Sequence, residues 1–217
     1  MGKTSEILKN RYGLEYPFEP DRLAKKALAY MKPGGTLLDA GCREGADSFY
    51  YAKKGMAVTA VDGDEMYLKK FRALKKDLGL SNISIKCADL TTLSFPVNHY
   101  DAVSCLLVGC CMKKSDFEKM LIPLKRSLKT GGIVVMSLRN YRDPELAEYL
   151  ATEKMIEPNT FCKKGDCCKI RYYIEKGRLR ALFDGFKILY YYEGLVRDKY
   201  GEVEKHSDSN IICMKKG

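Results

Sequence analysis

Three aspartates each follow or close a short apolar stretch of the chain, and their spacing suggests a shared role. Asp39 lies in LLDAGCREG (residues 37–45), Asp62 follows AVTAV, and Asp89 follows ISIKCA. The carboxyl ends of parallel strands meet at one edge of an open sheet, where such folds bind ligands. The three acids therefore predict a site for a ligand rich in hydroxyl and amino groups.

The turn after the first acid narrows the choice of ligand. A phosphate-binding Walker loop needs Gly-Lys followed by Ser or Thr, and the turn after Asp39 lacks that pattern. A dinucleotide loop needs three glycines, but Arg43 holds the middle position and Ala46 the last. The carboxylate of Asp39 would also repel a pyrophosphate. Both objections favour a cofactor without phosphate.

S-adenosylmethionine meets these conditions, because it carries an amino group, a carboxylate and a sulfonium but no phosphate. Asp39 suits the amino group, and the following helix N-terminus suits the carboxylate. Asp62 suits the ribose hydroxyls, Met66 the adenine face and Asp89 the adenine amino group. Taken singly, these residues have other readings: a turn cap for Asp39, core packing for Met66 and an exposed loop acid for Asp89.

The elements that position these residues alternate between short apolar runs and helical periods, which is typical of a βαβ fold. We predict helices at residues 19–32, 45–54, 64–78 and 115–128, the last capped by Ser115 and stopped by residues 129–132. We predict strands at 36–40, 57–61, 83–87, 102–107 and 133–138. Right-handed crossovers give a doubly wound, three-layer α/β sandwich.

The pattern weakens after residue 139. Residues 140–172 are polar and irregular, with one short helix expected at 144–153. A helix at 175–184 and strands at 186–195 and 210–215 follow, the two strands forming an antiparallel hairpin with its turn at 199–202. We predict one domain over residues 1–217, with a lid and helix at 1–34 and an acceptor-side insertion at 140–172.

The sequence resembles a known family at several of these points. LLDAGCREG, VTAVDGDEM, IKCADL, YDAVSCLLV and LKTGGIVVMSL resemble the class I S-adenosylmethionine-dependent methyltransferases over about residues 35–139. PFEP, ADSFYYAKKGMAVTAVD and the C-terminal stretch ending HSDSNIICMKKG look most like the tellurite-resistance methyltransferases. The resemblance implies a Rossmann-like sheet of order 3-2-1-4-5-7-6 with strand 7 antiparallel.

Pattern and resemblance together predict the cofactor site. Arg43 departs from the usual glycine of the family's turn, and Ala46-Asp47 replaces an Arg-Asn pair. We expect S-adenosylmethionine to contact Asp39, Gly41, Cys42, Arg43, Gly45, Asp62, Gly63, Met66, Asp89, Leu90, Leu106 and Leu107.

Methyl transfer from a sulfonium mainly requires a positioned, desolvated nucleophile. A soft anion such as a thiolate, selenide or metalloid oxyanion needs little proton removal, whereas an amine or hydroxyl needs a base. We predict catalytic roles for Arg139, Arg197 and His206, and acceptor binding by Cys110, Cys111, Arg171 and Tyr172. Surface arginines and a hydrogen-bonded strand histidine are the plainer readings.

The composition narrows the partners, the compartment and the metal content that can be expected. The formal charge of +10 forms no block of five or six basic residues, which does not favour a nucleic-acid partner. Nine cysteines, an odd number, without a signal segment predict reduced thiols and a cytoplasmic protein. No apolar run approaches the roughly 20 residues of a membrane helix. Cys162, Cys167 and Cys168 lack paired zinc-ribbon spacing, so we predict no metal.

The sequence therefore predicts a methyltransferase of small molecules, with tellurite, selenite or thiol-like acceptors favoured. An RNA methyltransferase and a non-catalytic S-adenosylmethionine-binding protein stay as alternatives, the second because of Arg43.

Overall fold

A seven-stranded mixed sheet forms the centre of the protein. The computed structural model describes residues 19–162, 170–197 and 205–217. The sheet strands are β1 (Thr36–Ala40), β2 (Ala57–Asp62), β3 (Ile83–Cys87), β4 (Tyr100–Leu106), β5 (Leu128–Arg139), β9 (Lys187–Arg197) and β10 (Lys205–Met214).

The strand order is β3-β2-β1-β4-β5-β10-β9. The first five strands are parallel, and β10 runs antiparallel to both β5 and β9. This is the predicted 3-2-1-4-5-7-6 order, so the predicted fold is confirmed. Because β10 is reversed, its first residues lie at the same edge as the carboxyl ends of the parallel strands.

Helices cover both faces of the sheet. They are α1 (Arg22–Ala27), α2 (Ala46–Lys53), α3 (Glu65–Asp77), α4 (Lys114–Ser127), α5 (Glu145–Thr152) and α6 (Arg178–Leu182). Alternation along β1 divides the core, since Leu37 packs with α1, α2 and α3 whereas Leu38 packs with α4 and α6. Two apolar layers therefore hold the sheet between the helices.

A second, three-stranded sheet lies in the segment expected to be irregular. It contains β6 (Lys154–Glu157), β7 (Thr160–Cys162) and β8 (Ile170–Tyr172), paired antiparallel. Tyr149 of α5, Phe161 of β7 and Tyr173 form a separate buried cluster beneath it. The prediction of irregular structure for residues 140–172 was wrong because these strands are too short to show a period.

Several boundaries differ from the predictions: the helices predicted at 19–32 and 175–184 are shorter, and three further differences affect contacts between elements. β10 begins five residues before the predicted position 210, and β5 includes residues 129–132, which were expected to end a helix. Ser115 lies inside α4, where its amide and hydroxyl both donate to Glu157 at 3.0 and 2.8 Å. It therefore joins α4 to β6 instead of capping the helix.

Candidate active site

The turn between β1 and α2 holds three consecutive odd-numbered residues with positive φ. The φ angles are 82° for Gly41, 48° for Arg43 and 86° for Gly45. The amides of Gly41 and Cys42 both donate to the Val61 carbonyl, at 2.7 and 3.1 Å. The left-handed conformation at Arg43 costs about 1–2 kcal/mol relative to the right-handed one for a residue with a Cβ. The turn is thus tied to the end of β2 and strained at one residue.

The two flanking glycines are required by packing as well as by φ. A Cβ on Gly41 would lie 2.2 Å from a Val108 methyl group, and one on Gly45 would lie 2.5 Å from the Phe71 ring. Val108 follows β4 and Phe71 belongs to α3, so the turn is held between neighbouring elements.

Asp39 lies beneath this turn. Its carboxylate is 4% exposed, and its Oδ2 accepts a hydrogen bond of 2.5 Å from the Ser48 hydroxyl. Burial, followed by the nearby Asp47, raises the pKa of Asp39 to about 7. The N-cap residue of α2, Gly45, has no side chain to cap the helix, and in the first turn the Ser48 amide donates to Asp39.

Asp62 joins the turn to the start of α3. Its Oδ2 accepts from the Arg43 amide and its Oδ1 from the Asp64 amide, both at 2.9 Å. Each carboxylate oxygen keeps a second lone pair for a ribose hydroxyl. Gly63 is exposed beside it, and Met66 is 60% exposed one turn along α3. Met66 is therefore not core, and its surface is available to a flat ring.

Asp89 and Leu90 follow β3 at the same edge. Asp89 is exposed, and its Oδ1 accepts from both the amide and the hydroxyl of Thr91, each at 2.8 Å. Leu90 is buried in the core. Asp89 thus orders the loop after β3. Its Oδ2 takes no part in these two hydrogen bonds.

Leu106 is the last residue of β4, and Leu107 directly follows it, at the same sheet edge as the turn. Leu107 has a φ of 56°, and its amide donates to both the carbonyl and the hydroxyl of Ser137, at 2.9 and 3.1 Å. Among the described residues, the positive-φ residues other than glycine and asparagine are Arg43 and Leu107. Both lie at this edge, and strained backbone of this kind clusters at functional sites.

The Arg43 side chain turns toward α3. Its Nη2 donates to the Tyr67 hydroxyl at 3.2 Å, and its guanidinium carbon lies 4.9 Å from the centre of the Tyr67 ring. The Arg43 amide is bound to Asp62. The Arg43–Tyr67 pair therefore begins at a residue that contacts the predicted ribose site.

Two of the residues predicted to act on the acceptor, Arg139 and His206, lie in an ion-pair cluster between β5 and β10. Arg139 Nη1 donates to Asp208 Oδ1 at 2.7 Å, and Arg139 Nε lies 3.9 Å from Asp143 Oδ2. Burial tends to raise the pKa of Asp143, but hydrogen bonds from His206 and from the Ser207 and Glu145 amides outweigh it, so the pKa is lowered. Burial raises the pKa of Asp208 despite Arg139.

His206 belongs to the same cluster. Its Nδ1 lies 3.3 Å from Asp143 Oδ2, which also accepts from the Ser207 amide at 3.0 Å. One ligand atom each from Asp143, Glu145 and His206 lie within 4.8 Å of one another. The guanidinium of Arg139 already supplies positive charge beside Asp143, so we interpret the group as an ion-pair cluster.

The remaining acceptor-side predictions have different outcomes. Cys110 is buried and donates to the Leu107 carbonyl, whereas Cys111 is exposed and lies 3.8 Å from Arg171 Nη1. Tyr172 is fully buried with its hydroxyl 3.0 Å from Glu175, which does not favour acceptor contact. The side chain of Arg197, like Cys167 and Cys168, lies outside the described residues.

Sequence reasoning missed Asp143, Asp208 and Tyr67. Asp143 precedes Pro144 and Glu145 at the start of a predicted helix, which is a signal for a capping acid. Asp208 lies in the run HSDS, where each residue is buried although none is apolar. Tyr67 carried no signal beyond its position next to Met66.

Two shallow depressions lie away from this edge. One, of about 490 Å³, follows the C-terminal end of α3 at Lys75 and Gly79; the other, of about 290 Å³, lies at the opposite strand ends, near Thr36 and Asn82. Neither holds a residue predicted to do chemistry. None of the described helices has the length and apolar character needed to cross a membrane.

Residues 37–132 match a family model described as a methyltransferase domain. A 2-methyl-6-phytyl-1,4-hydroquinone methyltransferase of Synechocystis is 34% identical over 52% of this chain and 35% of its own length. A (S)-coclaurine N-methyltransferase of Thalictrum flavum is 30% identical over 49% of this chain and 29% of its own length. The chain thus spans about a third of these relatives.

Solved structures share the fold over more of the chain. An S-adenosylmethionine-dependent methyltransferase from Methanosarcina mazei aligns with a TM-score of 0.74 and 18% identity, covering 92% of this chain and 99% of that one. TehB from Haemophilus influenzae aligns with a TM-score of 0.67 and 19% identity, covering 89% and 61%. At these identities the likeness is one of fold.

The comparisons match residues 37–132 to a methyltransferase domain, in agreement with the predicted enzyme class. The activity and the cofactor of the whole chain stay proposals. The matched segment runs from β1 into β5 and contains the three strand-end acids. The narrower resemblance to tellurite-resistance enzymes stays a prediction.

Proposed function

We propose that this protein transfers the methyl group of S-adenosylmethionine to a small-molecule acceptor. The observation that carries the proposal is the meeting of Asp39, Asp62 and Asp89 at one sheet edge, beside the N-terminus of α2. The residues there suit the cofactor: a buried acid for an ammonium, carboxylate oxygens for ribose hydroxyls and an exposed methionine for adenine.

Bound S-adenosylmethionine would supply an activated methyl group on a sulfonium. The side chains of the protein would then orient and desolvate the two reactants. Asp62 would hold the ribose end, and Leu106 and Leu107 would flank the methionine end.

Isothermal calorimetry with S-adenosylmethionine tests the cofactor half of the proposal. We expect binding by the native protein and a loss of about 10-fold or more in Asp62→Ala, because a charge-assisted acceptor is removed. Asp77→Ala is the matched control, since Asp77 is an exposed aspartate at the far end of α3. Equal affinity in native protein and Asp62→Ala would contradict the assignment.

The acceptor is a finer proposal. Exposed Cys111 beside Arg171 supports a soft or anionic molecule such as a thiol, selenite or tellurite. Transfer of radiolabelled methyl groups to these compounds tests it, and transfer to RNA alone would contradict it.

The two alternatives make different predictions. An RNA methyltransferase would bind RNA with steep salt dependence, and a non-catalytic protein would bind the cofactor but turn over no acceptor. The cytoplasmic location stays a prediction.

A further inference from the structure

We infer that the open edge of β3 is a docking site for an acidic, extended segment of another protein. The segment adds one strand to the sheet and sets its carboxylates against the cations of α3. Main-chain hydrogen bonds give affinity in this kind of recognition, and side chains at alternate positions give specificity. The inference concerns an interaction surface and stands apart from the proposed methyl transfer.

β3 is the outermost strand on its side of the sheet. It pairs with β2, in parallel, over Ile83–Cys87. The Val58 amide donates to the Asn82 carbonyl at 2.8 Å, and the Ala88 amide donates to the Asp62 carbonyl at 2.9 Å. The even-numbered residues of this stretch therefore direct their backbone groups toward β2.

The odd-numbered residues face the other way, because backbone N–H and C=O groups alternate between the two sides of a strand. The amides and carbonyls of Ile83, Ile85 and Cys87 thus point away from the sheet. Among the residues that the structure describes, no hydrogen bond reaches these groups. Such a row of donors and acceptors is a template for one further strand.

A cationic depression of about 490 Å³ lies along this edge. Its lining comes from the C-terminal part of α3, the turn after it and β3: Arg72, Lys75, Lys76, Gly79, Leu80, Ser81 and Ile85. Leu80 and Ile85 are half-buried and supply apolar surface between the cations and the strand. An added strand presents every second side chain to this face, so two acids on either side of one apolar residue match the lining.

The charge of this region selects an acidic occupant. Residues 69–86 contain six cationic side chains and one acid, Asp77. Arg72 is paired with Glu65, but both side chains are exposed, and exposed ion pairs contribute little free energy. A carboxylate of the partner can therefore replace Glu65. Opposite charges across an interface also speed the encounter of the two proteins.

Other occupants fit this surface less well. A second copy of the chain would bring two cationic faces together if β3 paired with β3. The lining residues of the depression include no aromatic side chain on which a nucleic-acid base could stack. Lysines also protect edge strands against unwanted pairing, and that role alone predicts that no peptide binds.

Fluorescence anisotropy with a labelled peptide tests the docking site on the full chain. The probe is Thr-Glu-Thr-Val-Thr-Glu-Thr with both ends blocked, and Thr-Lys-Thr-Val-Thr-Lys-Thr is its matched control. We expect saturable binding of the acidic peptide that weakens as salt is added, and no binding of the basic one. Absence of saturable binding by the acidic peptide would overturn the inference.

N-methylation of the acidic peptide separates strand pairing from attraction between charges. One version is methylated at the amides of the glutamates and the valine, and the other at alternate threonines, so that the charge stays the same. A strand directs only one of these two sets toward β3. We expect one version to bind about tenfold or more weakly and the other to bind as before. Equal binding of both versions would overturn the inference.

Charge reversal places the site on the protein. Lys75→Glu combined with Lys76→Glu should weaken binding by about tenfold or more. Lys176→Glu combined with Lys187→Glu changes the net charge equally at exposed positions, and Lys187 opens β9 at the opposite edge of the sheet. This control pair should bind as the native chain does. Equal losses in the two double variants would show unspecific attraction and overturn the docking site.

Amide exchange measured by NMR locates the added strand. The Ile85 and Cys87 amides should exchange more slowly in the complex, whereas those of Ser84 and Lys86, which already point to β2, should change little. Slower exchange along β9 instead would overturn the assignment to β3. Tighter binding of oligouridylate than of the acidic peptide would assign the surface to nucleic acid and would also overturn the inference.

Discussion

Backbone strain at the residue scale coincides with the proposed cofactor site. Arg43 within the turn and Leu107 after β4 take the left-handed conformation, and hydrogen bonds to Asp62 and Ser137 hold their amides there. A turn that is already strained and fixed does not need to reorganise when a ligand binds, so it loses less conformational entropy on binding.

Gly45→Ala tests how closely the turn is packed. The new Cβ would meet the Phe71 ring, whereas one on Gly55, with a φ of 87° against 86°, would meet no atom within 4 Å. Both variants should lose about 1 kcal/mol of unfolding free energy through positive φ. Gly45→Ala should lose a further 1–3 kcal/mol, roughly, through overpacking. Urea unfolding measures both, and equal losses would contradict this packing.

The pKa of Asp39 near 7 predicts pH-dependent cofactor binding. An ammonium binds the ionised carboxylate, so affinity for S-adenosylmethionine should fall by about tenfold for each pH unit below 7. Asp39→Asn should bind about 10- to 100-fold more weakly at pH 8, and the difference should shrink at pH 5. Calorimetry at both pH values measures this; a constant ratio would show that Asp39 does not contact the cofactor.

At the scale of elements, the first half of the fold follows from local pattern. The predicted bounds of β1 and β3 agree with the structure, because β1 is a short buried run between glycines and β3 alternates apolar and polar residues between Asn82 and Asp89. The second half depends on distant contacts. The first residues of β10 are polar yet buried against Arg139 and Asp143, and hydrophobic periodicity does not report such burial.

The candidate site divides in the same way. The three aspartates and the glycines of the proposed cofactor site lie at the ends of β1, β2 and β3, which the sequence pattern predicts. Asp143 and Asp208 could not be placed, since the contact between residues 143 and 206 spans more than 60 positions. A sequence pattern fixes neighbours on one element, whereas this cluster needs three elements to meet.

Asn82 offers a test of how the elements of the cofactor half are joined. Its Nδ2 donates to the carbonyls of Ala52, near the end of α2, and Met56, before β2, both at 2.9 Å. Asn82→Ala should cost about 1–3 kcal/mol, because two partly buried carbonyls lose their donor. Ser81→Ala, at the exposed neighbouring position, is the control for unfolding in urea. A loss no larger than that of the control would show that water replaces the amide.

At the scale of the whole molecule, Asp39 and Asp101 make the stability of the fold change with pH in opposite directions. Asp39 has a raised pKa, so its favourable contribution is complete below about pH 4 and is lost as the pH rises through 7. Burial tends to raise the pKa of Asp101, but bonds from Thr36 and Lys129 lower it to about 2. Its contribution is present above about pH 4 and is lost as the pH falls toward 2.

These slopes predict maximal thermal stability near pH 4 to 5 from the two groups together. Asp39→Asn should flatten the decline between pH 4 and 8, and Asp101→Asn should flatten the decline below pH 4. Melting temperatures measured across this range test both. A native profile that rises steadily to pH 8 would contradict the assigned pKa of Asp39.

The close contacts of Gly41 with Val108 and of Gly45 with Phe71 have a consequence for how such an enzyme can change over generations. The turn of the proposed cofactor site is closely packed, so substitutions there lower the free energy of unfolding. Cys111 is exposed, and Arg171 is half-buried in β8 of the small separate sheet. Substitutions at such surface positions usually change the free energy of unfolding little. New substrates can therefore be acquired by drift on the acceptor side while the methyl donor stays the same.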